Sequence, residues 1–294
     1  MLDVVIRDGV IVDGTGSPPY CADVGICNGI ITEIGRINSE AHRTLKADGA
    51  LLTPGFIDIH THYDGQASWD ETFSPSIYHG VTTVVMGNCG VGFAPVVRGQ
   101  EQRLIELMEG VEEIPGAVLA EGVRWGWSTF SEYTAQLDAQ PHSIDYMTLV
   151  PHDCLRLVVM GERASRGEAA TEQDIKTMQT LLRTALTAGA IGFSTGRTDN
   201  HRTSLGYETP ASQADRSELL GLAQAFNGLS HRIVHAVSDF DCMRGNSAEQ
   251  RQRFDAEYQL LEAVAQTTGQ PLALTWLQRI NAPEQWQWLF SAWR

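Results

Sequence analysis

From residue 54 onward, short apolar segments alternate with longer segments of helical periodicity. The strand candidates are residues 55–60, 81–87, 145–151, 190–195, 233–238 and 272–278. The helical candidates are residues 98–109, 171–188, 215–228 and 247–268. Strands that are joined by helical crossovers run parallel, and helices cover such a sheet. The alternation therefore predicts an α/β fold with a functional site at the carboxyl ends of the strands, as in barrels.

The number of strand candidates is smaller than a closed barrel of this type requires. A (β/α)8 barrel has eight parallel strands, each followed by a helix. The last residues, 286–294, have a pattern typical of the helix that would follow the sixth strand. Either two strands are not recognisable in the sequence or the barrel is incomplete. We expect residues 54–294 to form a (β/α)8 TIM-like barrel that is truncated after about six strands.

Residues 1–53 follow a different pattern, in which short apolar segments and turn residues come in close succession. Segments 23–26 and 30–34 flank the pair Asn28-Gly29. An Asn-Gly pair between two strand candidates is typical of a β-hairpin. This region is predicted to be a small β-sandwich domain, and an extension at the edge of the main domain is the alternative.

Composition and charge exclude several classes of function. The chain has 36 acidic and 21 basic residues, a formal net charge of −15, which argues against nucleic acid or an anionic membrane surface as the partner. No stretch approaches the roughly 18–20 apolar residues of a membrane span, and the apolar run at the amino terminus is too short for a signal peptide. The odd number of cysteines, five, disfavours a disulfide framework. We expect a cytoplasmic protein that acts on a small molecule and can form a homo-oligomer.

The apolar run of the first strand candidate leads into two histidines, His60 at its end and His62 two residues later. Alternate side chains of a strand point to the same side, so both imidazoles should face one space. Two neutral imidazoles side by side suit one divalent metal ion. Cys89 follows the second strand candidate in a glycine-rich turn, where a thiolate could bind the same ion. A small buried cysteine is the alternative for Cys89.

Three runs of residues carry a specific resemblance to a known family. They are residues 55–64 (Gly-Phe-Ile-Asp-Ile-His-Thr-His-Tyr-Asp), 79–85 (His-Gly-Val-Thr-Thr-Val-Val) and 87–90 (Gly-Asn-Cys-Gly). The chain resembles the amidohydrolase superfamily and, within it, the N-acyl-D-amino-acid deacylase (D-aminoacylase) family. Further matches are residues 150–152, Arg156 and residues 189–196. The resemblance covers nearly the whole chain and is strongest over residues 45–95.

The resemblance implies a zinc-dependent amidohydrolase with one or two zinc ions. Its expected reaction is the hydrolysis of a linear amide, an N-acyl-D-amino acid, to a D-amino acid and a carboxylate by metal-activated water. His60, His62 and Cys89 match metal positions of the family. His235 is the natural candidate for a further ligand, although it falls one residue out of register when Asp239 is aligned with the family's acidic strand end. The general base is expected to be an aspartate on strand eight, beyond the end of this chain, so no catalytic residue is assigned.

Other candidate residues are less specific. The sixth strand candidate has no histidine, and Gln278 on it is better suited to hydrogen bonding than to zinc binding. His152, at the end of the third strand candidate, could contact substrate or make a structural hydrogen bond. Arg197 and Arg202 could hold a substrate carboxylate bidentately. Solvated loop arginines are the alternative for both.

Two other functions compete with this interpretation. A cyclic-amide hydrolase of the dihydroorotase or hydantoinase type usually carries a carboxylated lysine on strand four, and residues 190–196 contain no lysine. A non-catalytic, truncated family member that keeps part of the metal site is the second. The long segment 99–144 contains Trp125, Trp127, Phe130 and Tyr133. It is interpreted either as a functional excursion or as a satellite hydrophobic cluster under a long loop.

Overall fold

The computed structural model describes residues 1–240, 247–276 and 283–292. Gln278, a candidate for hydrogen bonding from the sequence, lies outside these residues. The chain divides into two compact units, Met1–Phe56 and Ile57–Arg294. Within the described ranges, no helix combines the length and the apolar character that crossing a membrane requires.

The first unit contains one mixed sheet rather than two facing ones. Its strands are β1 (Leu2–Ile11), β2 (Tyr20–Cys27), β3 (Ile30–Gly35), β4 (Ala41–Lys46) and β5 (Leu51–Leu52). The order is β3-β2-β1-β4, and β5 also pairs with β1. Since β2 occupies one edge of β1, β4 and β5 pair in parallel along the other edge. The described residues of this unit thus form a single five-stranded sheet, and the predicted sandwich domain stays a prediction.

The predicted hairpin in this unit is present. Asn28 and Gly29 have φ values of 52° and 73°, in the left-handed region. A two-residue hairpin turn needs positive φ at both positions, which asparagine and glycine adopt at low cost. The Asn-Gly pair therefore joins β2 to β3 as the sequence predicts.

The second unit is built on a six-stranded sheet with the order β11-β10-β9-β8-β7-β6. Its strands are β6 (Phe56–Asp58), β7 (Val81–Met86), β8 (Asp145–Pro151), β9 (Gly192–Arg197), β10 (Ile233–Ser238) and β11 (Leu272–Trp276). Neighbouring strands from β7 to β11 run parallel. The α/β prediction and the positions of the strands are confirmed, and β9 begins later than predicted because Gly192 is its first paired residue.

Nine α-helices accompany the strands in the described residues. They are α1 (Glu101–Glu112), α2 (Gly116–Gly122), α3 (Phe130–Asp138), α4 (His152–Met160), α5 (Glu162–Ser165), α6 (Glu172–Thr187), α7 (Arg216–Ala223), α8 (Ser247–Thr268) and α9 (Gln285–Ala292). All four helical candidates are present, with α1 and α7 shifted or shortened. A glycine with φ of 119°, Gly189, follows the end of α6.

The long segment between β7 and β8 forms α1, α2 and α3 and belongs to the main core. Trp127, Phe130 and Tyr133 are buried in the same hydrophobic cluster as the strands of the second unit. The Trp127 indole N–H donates to the Phe93 carbonyl at 2.7 Å, and the Tyr133 hydroxyl donates to the Asp64 carbonyl at 2.8 Å. The aromatic residues are therefore not a satellite cluster, because they fix this segment against the loops that follow β6 and β7.

The amino terminus of α6 provides a test of local stability. The Thr171 hydroxyl accepts from the Asp174 N–H at 3.2 Å, and the Asp174 carboxylate accepts from the Thr171 N–H at 2.8 Å. We expect Thr171→Ala to lower the free energy of unfolding by about 1 kcal/mol, since it leaves a helix-end N–H without its partner. Urea denaturation followed by circular dichroism measures this difference.

The matched control is Thr180→Ala, the same change at an exposed position inside α6. It should change the free energy of unfolding by less than about 0.5 kcal/mol. Equal losses in both variants would contradict the capping role of Thr171.

Candidate metal centre

The loops after β6 and β7 bring two imidazoles and a thiol together. The His60 Nε2 atom lies 3.1 Å from the Cys89 Sγ atom, and the His62 Nε2 atom lies 3.6 Å from the same sulfur. The ring centroids of His60 and His62 are 5.3 Å apart. The grouping of these three residues, expected from the sequence, is thus found in the geometry.

The reason for this grouping differs from the one that the sequence suggested. The strand β6 ends at Asp58, before either histidine, so the pleat of a strand does not orient them. Instead, the Thr61 N–H and hydroxyl both donate to the Val85 carbonyl on β7, at 3.0 and 2.8 Å. The residue between the histidines is therefore anchored to the next strand, and the two imidazoles flank that anchor.

Cys89 is held in a tight turn at the end of β7. Gly87, Cys89 and Gly90 have φ values of 79°, 60° and 81°. A Cβ at Gly87 would lie 2.4 Å from the Leu149 carbonyl oxygen, and a Cβ at Gly90 would lie 2.6 Å from the Gly196 nitrogen. Glycine is therefore required at both positions, because the turn lies directly against the backbone of the neighbouring strands.

A buried serine on β9 holds this turn in place. The Ser194 hydroxyl donates to the Gly87 carbonyl and accepts from the Gly90 N–H, the latter at 3.1 Å. The Asn88 side-chain amide donates to the Val85 carbonyl at 2.8 Å and to the Thr61 carbonyl at 3.2 Å. The turn is thus tied both to β9 and to the loop that carries the histidines.

Burial sets the protonation of the three groups. It lowers the pKa of His62 to about 3, with a further contribution from the neighbouring histidines, and it also lowers the pKa of His60. Both imidazoles are therefore neutral at neutral pH and present lone pairs. Burial raises the pKa of the Cys89 thiol, and the nearby Glu112 carboxylate raises it further.

This donor set fits a divalent metal ion. The His62 Nδ1 atom is buried with no hydrogen-bond partner in the described part of the chain. Two neutral imidazoles and a thiol, with donor atoms all within 4.8 Å of one another, are ligand types that zinc takes. A bound cation would also favour the thiolate form of Cys89, which burial alone disfavours.

His235 lies beside this group but is engaged elsewhere. It is buried on β10, and its ring meets that of His60 edge-on with centroids 5.0 Å apart. The Thr275 hydroxyl on β11 lies 3.1 Å from His235 Nε2 and 3.0 Å from His60 Nδ1. Thr275 therefore links the two imidazoles. It lies on β11, the strand in which the sequence shows no histidine. Metal binding by His235 stays a prediction, and its Nδ1 atom is buried without a partner in the described residues.

Two residues that the sequence analysis missed reach the same space. The Glu112 Oε1 atom, from the last turn of α1, lies 3.2 Å from His62 Nε2. Glu112, His201 and Cys89 each offer a donor atom, and these atoms lie within 4.8 Å of one another. Burial raises the pKa of Glu112 to about 7 and lowers the pKa of His201 to about 4. Helical periodicity contains no signal for Glu112, and His201 was not selected although it lies between the candidate residues Arg197 and Arg202.

His152 forms part of a buried polar network instead of facing an open pocket. It follows β8 at the start of α4, and its side chain is fully buried. Its Nδ1 atom lies 3.0 Å from the Thr195 hydroxyl, and its Nε2 atom lies 2.9 Å from the Glu218 carboxylate. Glu218 also pairs with Arg156. Because both ring nitrogens are occupied, the geometry favours a structural hydrogen bond over substrate contact.

The two candidate arginines are also engaged within the protein. The Arg197 guanidinium donates to both carboxylate oxygens of Glu257, at 2.6 and 3.0 Å, and to the Ala214 carbonyl at 2.7 Å. Arg202 has a side chain that is 44% exposed and donates to the Gly206 carbonyl at 3.2 Å. These contacts hold both guanidinium groups to other parts of the protein, and none of them involves His60 or His62.

Arg197 also lines a cavity of about 390 Å³ at the carboxyl ends of β9 and β10. The charged groups on its described walls are Arg197, Arg253, Asp199, Glu208, Asp239 and Glu257. Carboxylates outnumber guanidiniums on these walls, so the local charge does not favour a substrate carboxylate.

Comparison with known proteins places the chain in a family. Residues 43–291 match the amidohydrolase family. The D-aminoacylase of Alcaligenes xylosoxydans xylosoxydans is 32% identical over 236 residues, which cover 80% of this chain and 44% of that protein. The chain therefore belongs to the amidohydrolase family, and it spans less than half the length of this curated relative.

Solved structures give the same result for the fold. A crystal structure of D-aminoacylase has a TM-score of 0.75 and 27% identity, and the match covers 99% of this chain and 56% of that one. The N-acyl-D-glutamate deacylase from Bordetella bronchiseptica, complexed with zinc and a phosphonate inhibitor, has a TM-score of 0.71 and 29% identity, with the same coverage. The resemblance noted from the sequence is confirmed by these similarities.

The network around His152 provides a second test of stability. Burial raises the pKa of Glu218, but the hydrogen bond from His152 and the charge of Arg156 outweigh burial and lower it overall. The side chains of Glu218 and Arg156 are 1% and 2% exposed. We expect Glu218→Gln to cost about 3 kcal/mol in the free energy of unfolding, because it leaves a buried guanidinium without its anion.

The control for this prediction is Glu208→Gln, which removes an exposed partner of Arg202 at 3.9 Å. It should cost less than about 1 kcal/mol. Urea unfolding of the two variants beside the parent chain measures both values. A loss for Glu218→Gln no greater than that of the control would show that the buried network contributes little.

Proposed function

We propose that the protein is a zinc-dependent amidohydrolase that hydrolyses a linear amide, an N-acyl-D-amino acid, to a D-amino acid and a carboxylate. The observation that carries the proposal is the convergence of His60, His62 and Cys89, whose donor atoms lie within 4.8 Å of one another. The similarity to D-aminoacylase and to a zinc-bound N-acyl-D-glutamate deacylase supports the substrate class and the metal. The position of the group, after the ends of β6 and β7, agrees with a catalytic site in such a sheet.

Each of the three residues would have a distinct role in binding the ion. His60 and His62 would hold the ion through neutral imidazoles, since burial keeps their pKa values low. Cys89 would bind as a thiolate and lose its proton when the ion enters. The bound metal would polarise the amide carbonyl and lower the pKa of water.

We also propose that the parallel sheet is part of a (β/α)8 barrel, with residues 1–53 as a small accessory domain. The match to D-aminoacylase covers 99% of this chain and only 56% of the relative, which supports a larger architecture. A strand-eight aspartate would then be the general base. Deacylation would then be the activity of the chain within that larger architecture.

A linear amide is favoured over a cyclic one by the composition of β9. The strand Gly192–Arg197 contains no lysine that carboxylation could convert into a metal bridge. Cys89 lies in reach of both histidines and offers the anionic donor instead. We therefore rank a hydantoinase-type activity below deacylation.

Metal content tests the core of this proposal. We expect the purified chain to bind zinc, and His60→Asn or His62→Asn to lower its zinc affinity by at least about 100-fold, because removing a ligand costs more than removing an outer partner. Equilibrium dialysis with elemental analysis measures the affinity. The matched control is His79→Asn at an exposed position, which should bind zinc as the parent does.

Activity is tested with paired substrates. N-acetyl-D-amino acids, their L enantiomers and a hydantoin are each incubated with the zinc-loaded full-length protein, which includes the strand-eight aspartate. Released amine is quantified for the acylated amino acids, and the ring-opened carbamoyl product is quantified for the hydantoin. Hydrolysis of the D compounds alone supports the proposed function. Absence of bound zinc, or cleavage of the cyclic amide in preference to the D compounds, contradicts it.

A further inference from the structure

The hydroxyl of Thr275 joins the two opposite edges of the six-stranded sheet. Thr275 lies on β11, at one edge, and His60 follows β6, at the other edge. The Thr275 hydroxyl nevertheless lies 3.0 Å from His60 Nδ1, although 215 positions separate the two residues in the sequence. The sheet is therefore curved strongly enough to bring side chains from both edges into one space.

The pairing of β11 with β10 determines the side to which Thr275 projects. Thr275 pairs with Val237, and His235 lies two residues before Val237 on the same strand. Paired residues of neighbouring strands and alternate residues of one strand share a face of the sheet. Thr275 and His235 therefore project from the same face, and the hydroxyl lies 3.1 Å from His235 Nε2. A single hydroxyl is thus within hydrogen-bonding distance of two imidazoles.

The two ring nitrogens of His60 have different surroundings. The Nε2 atom lies 3.1 Å from the Cys89 sulfur, and the Nδ1 atom faces the Thr275 hydroxyl. An ion held by both His60 and Cys89 would bind Nε2, since this is the nitrogen beside the sulfur. The Nε2 atom must then present a lone pair. Because a neutral imidazole has one N–H group, its proton must lie on Nδ1.

A hydroxyl at the position of Thr275 can stabilise this tautomer of His60. A threonine hydroxyl has two lone pairs and one proton, so it can accept from the His60 Nδ1–H group whichever nitrogen of His235 carries a proton. The hydrogen bond made by one ring nitrogen of a histidine decides which nitrogen stays free for a metal. The opposite tautomer of His60 would direct an N–H group at the Cys89 sulfur and would remove the lone pair that the ion requires.

We propose that Thr275 is a positioning residue of the candidate metal centre, which keeps the His60 proton on Nδ1 and so presents the Nε2 lone pair to the ion. It also restricts rotation of the ring, because a group from β11 faces Nδ1 while the turn after β7 faces Nε2. The inference rests on the proposed function, since it concerns the ion that His60 would bind.

Two substitutions of Thr275 separate the hydroxyl from the shape of the side chain. Thr275→Val keeps the shape and removes the hydroxyl, whereas Thr275→Ser keeps the hydroxyl. In the metal-free chain, we expect Thr275→Val to move the His60 proton from Nδ1 to Nε2, and Thr275→Ser to leave it on Nδ1. Long-range ¹⁵N–¹H NMR correlations of the histidine-labelled chain report the tautomer, and the signals of His60 are those that His60→Asn removes.

Zinc affinity is measured on the same variants by equilibrium dialysis with elemental analysis. Thr275→Val should lower the affinity by at least about 10-fold, because the outer partner of a ligating histidine is lost. Thr275→Ser should bind zinc as the parent chain does. The matched control is Thr83→Val, at a half-buried threonine on β7 of the same unit, which should change neither the tautomer nor the affinity. Circular dichroism of each metal-free variant verifies that the fold is kept.

The outcomes separate this inference from the proposed function. A shift of the His60 proton and a loss of zinc affinity in Thr275→Val, both reversed in Thr275→Ser, support the inference. If the parent chain binds zinc and Thr275→Val changes neither the tautomer nor the affinity, or only one of them, the inference is overturned and the proposed function stands. An equal loss of affinity in Thr275→Ser or in the control also overturns it, since the hydroxyl is then not the cause. A parent chain that binds no zinc overturns the proposed function and this inference with it.

Discussion

The contact of the turn at residues 87–90 with the backbone of β8 and β9 determines the geometry of the centre. Gly87 and Gly90 lie so close to these strands that a side chain at either position would collide with main-chain atoms. The Ser194 hydroxyl then joins both ends of the turn to β9. These contacts enclose Cys89 and therefore fix the position of its sulfur. The hydrogen bond from Thr61 to Val85 orients the histidine loop toward that sulfur.

Removal of these donors from water determines their chemical state. Burial keeps the imidazoles neutral and the thiol protonated, so the group carries little charge until a cation enters. The Glu112 carboxylate is drawn into the same interior, and burial raises its pKa to about 7. A divalent ion would reverse these preferences, because it favours the thiolate and the carboxylate. The arrangement is thus better suited to a metal ion than to catalysis by the side chains alone.

Much of this organisation was predictable from the sequence. The alternation of apolar and helical segments predicted the six-stranded sheet, and local motifs singled out His60, His62 and Cys89 before their distances were known. The reasoning about orientation was wrong, because β6 ends at Asp58 and a hydrogen bond from Thr61, not the strand pleat, positions the histidines. The single sheet of the first unit was not predictable, since the partners of β4 and β5 depend on long-range pairing with β1.

The sequence by itself determined the class of fold, the family and the first three donor residues, because these depend on local periodicity and on short contiguous motifs. Only the tertiary structure decided the roles of residues whose neighbours are distant in the chain. In the folded protein His152 pairs with Glu218, and Arg197 pairs with Glu257. Glu112 comes to lie at the candidate metal centre. These pairings depend on where loops and helix ends meet in space, and no residue pattern within one segment records that meeting.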